Sequence, residues 1–244
     1  MQEKRQCPHC GHEVALDDKT CEECQWLLRW SKDDPSVYNV DHIQTVLPQK
    51  VIMCFFLLAA LGQILLFLST ETLDNLVSQR MMLFFGHLLK MTGETALLFT
   101  LMRGLRFEYR HMALLCRVTI VLLIAYHLVA AAYPFLGHPL IPTALRPTIV
   151  SVAPYLLIAA EVAYVILGYR IFDSFNGKLS FAGLLMAIAT ALHLVLNLIL
   201  HRSGHDIISD AAVAIVTIFY FFVLSRRMLD HEAFLESFNK DAIK

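Results

Sequence analysis

Residues 81–102, MMLFFGHLLKMTGETALLFTLM, decide how this chain folds. At about 1.5 Å of rise per residue the stretch is long enough to cross the hydrocarbon core of a bilayer. Yet His87, Lys90 and Glu94 stand in its middle. An ionisable group at that depth costs about 3 kcal/mol or more when it faces lipid, so this helix must be walled in by neighbours. The spacing also gathers the three on one face: Lys90 and Glu94 are four apart, and His87 is three before Lys90. The remainder of the chain has to supply the wall.

It has the material to do so. The chain has 244 residues, of which 57% are hydrophobic, and a mean hydropathy of +0.57, too apolar for an ordinary soluble domain. Further apolar runs place spans near 51–69, 113–135, 148–169, 179–200 and 207–225, which with 81–102 makes six. Ahead of them, residues 1–50 hold 15 of the 41 Asp, Glu, Lys and Arg, which marks a polar head before a membrane body. Because that head precedes the first apolar run, no secretory signal peptide is expected, and the first span inserts uncleaved. Six spans return both termini to one side, and basic residues say which. The N-terminal segment, the 103–112 and 170–178 loops and the tail carry fifteen Lys and Arg; the three opposite loops carry Arg80, Arg146 and Arg202. Head and tail are therefore expected in the cytoplasm, in a bacterial or archaeal plasma (inner) membrane. The tail, 226–244, has Met228, Leu229, Leu235 and Phe238 on one side and reads as an amphipathic segment lying on the membrane or against the head.

With that topology, helical rise puts His87, Lys90, His127 and His193 at roughly 9 to 14 Å below the outer surface. Glu94 and Glu161 fall near mid-membrane, and Asn197 and Asp210 lie shallower. His193 and Asn197 are four apart and share a face. These residues come from the second to sixth spans, and they form a candidate inward-facing polar cluster: His87, Lys90, Glu94, His127, Glu161, His193, Asn197 and Asp210. Such groups serve either as interhelical glue or as a functional site. Arg117, near the inner end of its span, can snorkel to the interface. Cys54 and Cys116 read as small hydrophobes.

The head opens with Cys7-Pro8-His9-Cys10-Gly11 and repeats the spacing at Cys21-Glu22-Glu23-Cys24. Two such turns present four thiolates, the number that closes a tetrahedral Zn²⁺ shell. Pro8 pre-sets a turn, and Gly11 tolerates the positive φ that follows the second ligand. Over its first 26 or so residues the chain resembles the short zinc-ribbon family with the CPxCG…CxxC pattern. The ten residues between the pairs are fewer than in larger ribbons, and Gln25 stands where the second knuckle often has Gly. The resemblance implies a structural zinc on Cys7, Cys10, Cys21 and Cys24, because a closed shell leaves no position for a substrate water. Disulfide pairing is the alternative, and the cytoplasmic address disfavours it. So small a domain depends on its metal to fold.

The expected fold is thus an all-α polytopic membrane protein: a zinc ribbon at 1–30, a linker at 31–50, six transmembrane helices over 51–225 and the tail. A net charge of −1 gives no reason to expect nucleic acid as a partner. Catalytic signatures are missing. Ser203-Gly204-His205 with Arg146-Pro147 is similar to fragments of the type 2 phosphatidic acid phosphatase signature, but Pro139 stands where its lysine belongs. His193 with Asn197 is similar to one motif of the glutamate-type CAAX proteases, without the paired glutamates that go with it. Three expectations follow. The first is a non-enzymatic scaffold or regulatory subunit whose ribbon docks a protein partner. The second is a small proton- or ion-coupled transporter or channel using Lys90, Glu94 and Glu161. The third is a metal- or haem-binding protein using two of His87, His127 and His193.

Overall fold

The computed structural model of the chain describes residues 4–7, 10–15, 18, 21–23, 43–71, 76–105, 110–139, 141–175, 177–199 and 207–229. Within them, two short strands, β1 (Lys4–Gln6) and β2 (Glu13–Ala15), pair antiparallel and carry the first cysteine turn between them. A third strand, β3 (Ile43–Gln44), leads into six helices: α1 (Gln49–Glu71), α2 (Leu76–Gly104), α3 (Arg110–Ala132), α4 (Arg146–Ser174), α5 (Gly177–Ile199) and α6 (Ile207–Arg227). A last strand, β4 (Met228–Leu229), follows α6 at once.

Each helix packs on the next along the chain, and α6 returns to α1, so the six close into a ring. Four stretches, Gln49–Ser69, His111–Phe135, Thr143–Ser174 and Gly177–Leu196, are long and apolar enough to cross a membrane. Their outer faces fit that reading. Leu57, Leu61 and Ile64 on α1, and Leu114, Val118, Val121 and Leu128 on α3, are exposed at helical spacing. An apolar stripe of that length suits lipid and not water. The core lies inside the ring, where Ile52, Leu97, Leu98, Leu101, Leu167, Ile171, Leu179 and Leu224 are fully buried.

Prolines and glycines punctuate the helices where their backbones dictate. Pro147 stands in the first turn of α4, where its missing N–H is not needed. α4 ends as Phe175 turns extended and donates its N–H to Ile171, and Gly177 at φ 64° then starts α5. Close packing needs glycine at two further places. A methyl group on Gly62 of α1 would strike the backbone of Lys90 on α2, and one on Gly93 of α2 would strike that of Ala59 on α1. The two backbones therefore lie against each other along the charged middle of α2.

Two features differ from the sequence reading. The sixth helix stops at Arg227 and the chain passes at once into β4, where the sequence reading placed an amphipathic segment. β4 pairs in parallel with β3, Ile43 opposite Met228 and Gln44 opposite Leu229, so the lead-in to α1 is tied to the exit from α6. The Thr45 N–H donates to the Leu229 carbonyl at 2.7 Å, and the Gln49 side-chain amide donates to the Ser225 carbonyl at 2.8 Å. Met228 and Ile43 are buried beneath the pairing. Strands of two residues are too short for any hydrophobic period to announce them. The rest of the tail, with Leu235 and Phe238, lies outside the described residues.

Candidate metal centre and buried polar networks

In the head, the strand pair brings the turn at Cys7 to Gly11 into shape. The Cys7 N–H donates to the His12 carbonyl at 2.6 Å and the Gly11 N–H to the Cys7 carbonyl at 2.8 Å. Gly11 sits at φ 79°, a region that a Cβ would disfavour. The turn gathers the sulfurs of Cys7, Cys10 and Cys21 within 4.8 Å of one another, Cys10 and Cys21 being 3.6 Å apart. Sulfurs at the corners of a tetrahedral zinc site lie about 3.8 Å apart, given Zn–S bonds near 2.3 Å. Three thiols at this spacing make a site that can hold a metal ion. The fourth predicted ligand, Cys24, lies outside the described residues.

In the helices, the predicted polar residues meet, but as two networks. The first surrounds Glu94 of α2, which is 1% exposed. Lys90, one turn earlier, places its Nζ 3.8 Å from Glu94 Oε1. From α4 the Tyr164 hydroxyl donates to Glu94 Oε2 at 2.6 Å. From α3 His127 sets its Nε2 3.9 Å from the same oxygen. The other side of that ring meets His87 of α2, Nδ1 to Nδ1 at 3.0 Å. Tyr126 stacks its ring edgewise on His87 and tilted on His127, sealing the pair. A carboxylate buried this far needs a counter-charge and hydrogen bonds, and here both are supplied.

The second network belongs to α4, α5 and α6. His193 of α5 lies between two acids: Nδ1 is 2.8 Å from Glu161 Oε1, and Nε2 is 3.0 Å from Asp210 Oδ1. Both ring nitrogens therefore face acceptors, a geometry that calls for two hydrogens among the three side chains. The network is more open than the first, with side chains exposed by 11% at Glu161, 14% at His193 and 34% at Asp210. The side chain of Asn197, although on α5, lies outside the described residues.

Helix α4 serves both networks, since Glu161 and Tyr164 are one turn apart on it. Tyr164 is the network residue that sequence reasoning passed over. Its spacing from Glu161 was the available signal, because a tyrosine three residues from a buried acid shares that acid's face. The contact between His87 and His127 also bears on haem. Two axial ligands must stand on opposite faces of a porphyrin, whereas these rings touch each other directly.

Beside Glu94, Phe56, Ala59, Ala60 and Gln63 of α1 face Thr217, Ile218 and Phe221 of α6 across a narrow cleft. Among the described residues, Gln63 Oε1 is buried there without a hydrogen-bond partner. No protein-family model, curated protein or solved structure matches this chain.

Proposed function

We propose that the chain is a six-span membrane protein, with head and tail in the cytoplasm, that works as a non-enzymatic scaffold or regulatory subunit. Its head binds one structural zinc through Cys7, Cys10, Cys21 and Cys24 and docks a protein partner. The bundle, embedded in lipid, is the mount. α2 at 29 residues and α6 at 21 complete the six, being about 43 and 32 Å long. The charges of α2 do not oppose this reading, since Glu94 is buried and Lys90 is turned toward it.

The observation that carries the proposal is the thiol cluster. Three thiols at this spacing supply most of a tetrahedral metal shell, and a sulfur-rich shell of this kind supports structure and recognition more than it does catalysis. The strand pair β3–β4 adds to it, because the segments bearing head and tail leave the bundle from one point. The test is metal analysis and affinity capture with the full chain. About one zinc per chain is expected, lost in Cys7→Ser and Cys10→Ser together with a captured partner. A partner held equally well by both variants overturns the docking role, and a metal-free wild-type head overturns the zinc.

A second reading, a small proton- or ion-coupled transporter, is favoured by His193. One imidazole bridging two acids on different helices can change partners as protons come and go. Uptake or current in proteoliposomes that depends on pH, and is abolished by Glu94→Gln and Glu161→Gln, would support it; wild-type vesicles without flux would remove it.

A further inference from the structure

The Glu94 network has a direction. The facing Nδ1 atoms of His87 and His127, 3.0 Å apart, require a hydrogen on one and a lone pair on the other. Two tautomer arrangements satisfy that contact, and Glu94 decides between them. Were His127 to donate through Nδ1, its Nε2 would turn a bare lone pair toward a carboxylate oxygen 3.9 Å away. In a poorly screened interior that juxtaposition is repulsive. When His87 donates instead, His127 carries its hydrogen on Nε2 and aims it at Glu94. The second arrangement is lower in energy for a carboxylate partnered by Lys90 and Tyr164.

We propose that His87, His127 and Glu94 form a proton relay, in which a proton taken up at His87 Nε2 is delivered to Glu94 through His127. The proton binds the lone pair of His87 Nε2. The Nδ1 hydrogen of His87 then passes to Nδ1 of His127, and the Nε2 hydrogen of His127 passes to Oε2 of Glu94. One proton enters and one arrives; only N–H and O–H bonds are made or broken. Both imidazoles end neutral, each as its other tautomer, and remain hydrogen-bonded through Nδ1.

The last hop is the control point. At 3.9 Å it is about 1 Å longer than a charge-assisted hydrogen bond, so the ring or the carboxylate must swing inward to complete it. Among the described residues His127 Nε2 makes no other hydrogen bond, so closing on Glu94 breaks none at that nitrogen. Delivery also has a consequence. A neutral Glu94 no longer balances Lys90, whose side chain is 18% exposed and can turn outward. The titratable groups around the relay are Lys90 on α2, Tyr126 on α3, Tyr164 on α4 and Tyr220 on α6. Glu161, His193 and Asp210 on α4, α5 and α6 form the adjoining network, and Gln63 on α1 lines the cleft beside Glu94. The inference is independent of docking by the head. It makes no claim of net transport, since a relay ending on Glu94 serves a sensor as well as a carrier.

The test is time-resolved infrared spectroscopy of the full chain in nanodiscs after a drop in pH. A protonated-carboxyl band is expected in the wild type and absent in Glu94→Gln. His127→Gln and His87→Gln should slow its rise about a hundredfold or more, the scale at which a positioned acid–base group acts. A band that rises at the wild-type rate in His127→Gln, or no band that Glu94→Gln removes, overturns the relay. Nitrogen-15 NMR of the histidines in the unsubstituted protein covers the case of a variant that fails to fold. One ring protonated on Nδ1 and one on Nε2, sharing a hydrogen bond, is the expected pattern; two rings both protonated on Nε2 alone would exclude it. Proteoliposome flux, run alongside, bears on the transport reading alone.

Discussion

The two polar networks are built from the same residue types and differ in how their charges add up. Around Glu94, one acid meets Lys90 from its own helix, a tyrosine from α4 and an imidazole from α3, and it is almost fully enclosed. Around His193, two acids share one imidazole, and Asp210 stays a third exposed. The difference shows what depth requires. An acid whose counter-charge is one helical turn away can be sealed, whereas a surplus acid keeps access to water or headgroups.

The largest effect should come from stripping the sealed network. Glu94→Ala leaves Lys90 without its counter-charge, and Tyr164 without its acceptor, inside the bundle, for a loss of about 3 to 5 kcal/mol in reversible unfolding in mixed micelles. A loss no greater than that of Asp210→Asn would erase the contrast between the networks. Tyr164→Phe removes one hydrogen bond to a charged group and should cost about 2 kcal/mol by the same measurement. A double-mutant cycle of Lys90→Met with Tyr164→Phe sharpens the picture, because both act through Glu94. A coupling of about 0.5 kcal/mol or more is expected, and strict additivity would mean that the two do not share the carboxylate. The smallest effect belongs to Asp210→Asn, within about 1 kcal/mol, as for other solvent-reached ion pairs.

Much of this arrangement was legible in residue order. The apolar runs mark α1, α3, α4 and α5, and the spacing of His87, Lys90 and Glu94 puts them on one face of α2. That such a face must find partners on other helices follows from the cost of charge in lipid. Which partners it finds does not follow, because pairing between helices depends on rotation and register that no local pattern records. So His87, Glu94 and His193 could be gathered in advance, but not divided between His127 and Glu161. The join of β3 to β4 was illegible for another reason. Ile43 and Met228 are far apart in sequence, and neither strand is long enough to show alternation.

That join also bears on how the molecule comes to be made. Ile43 and Gln44 emerge early in synthesis, and their strand partners Met228 and Leu229 emerge only after all six helices. The β3–β4 pairing therefore cannot form until the sixth helix has been made, and a nascent chain halted short of residue 228 would be left with its first and last helices unlatched. Such a chain presents β3 as an unpaired edge and leaves Ile43 without the cover of Met228, a mark of incompleteness that lasts until the latch closes.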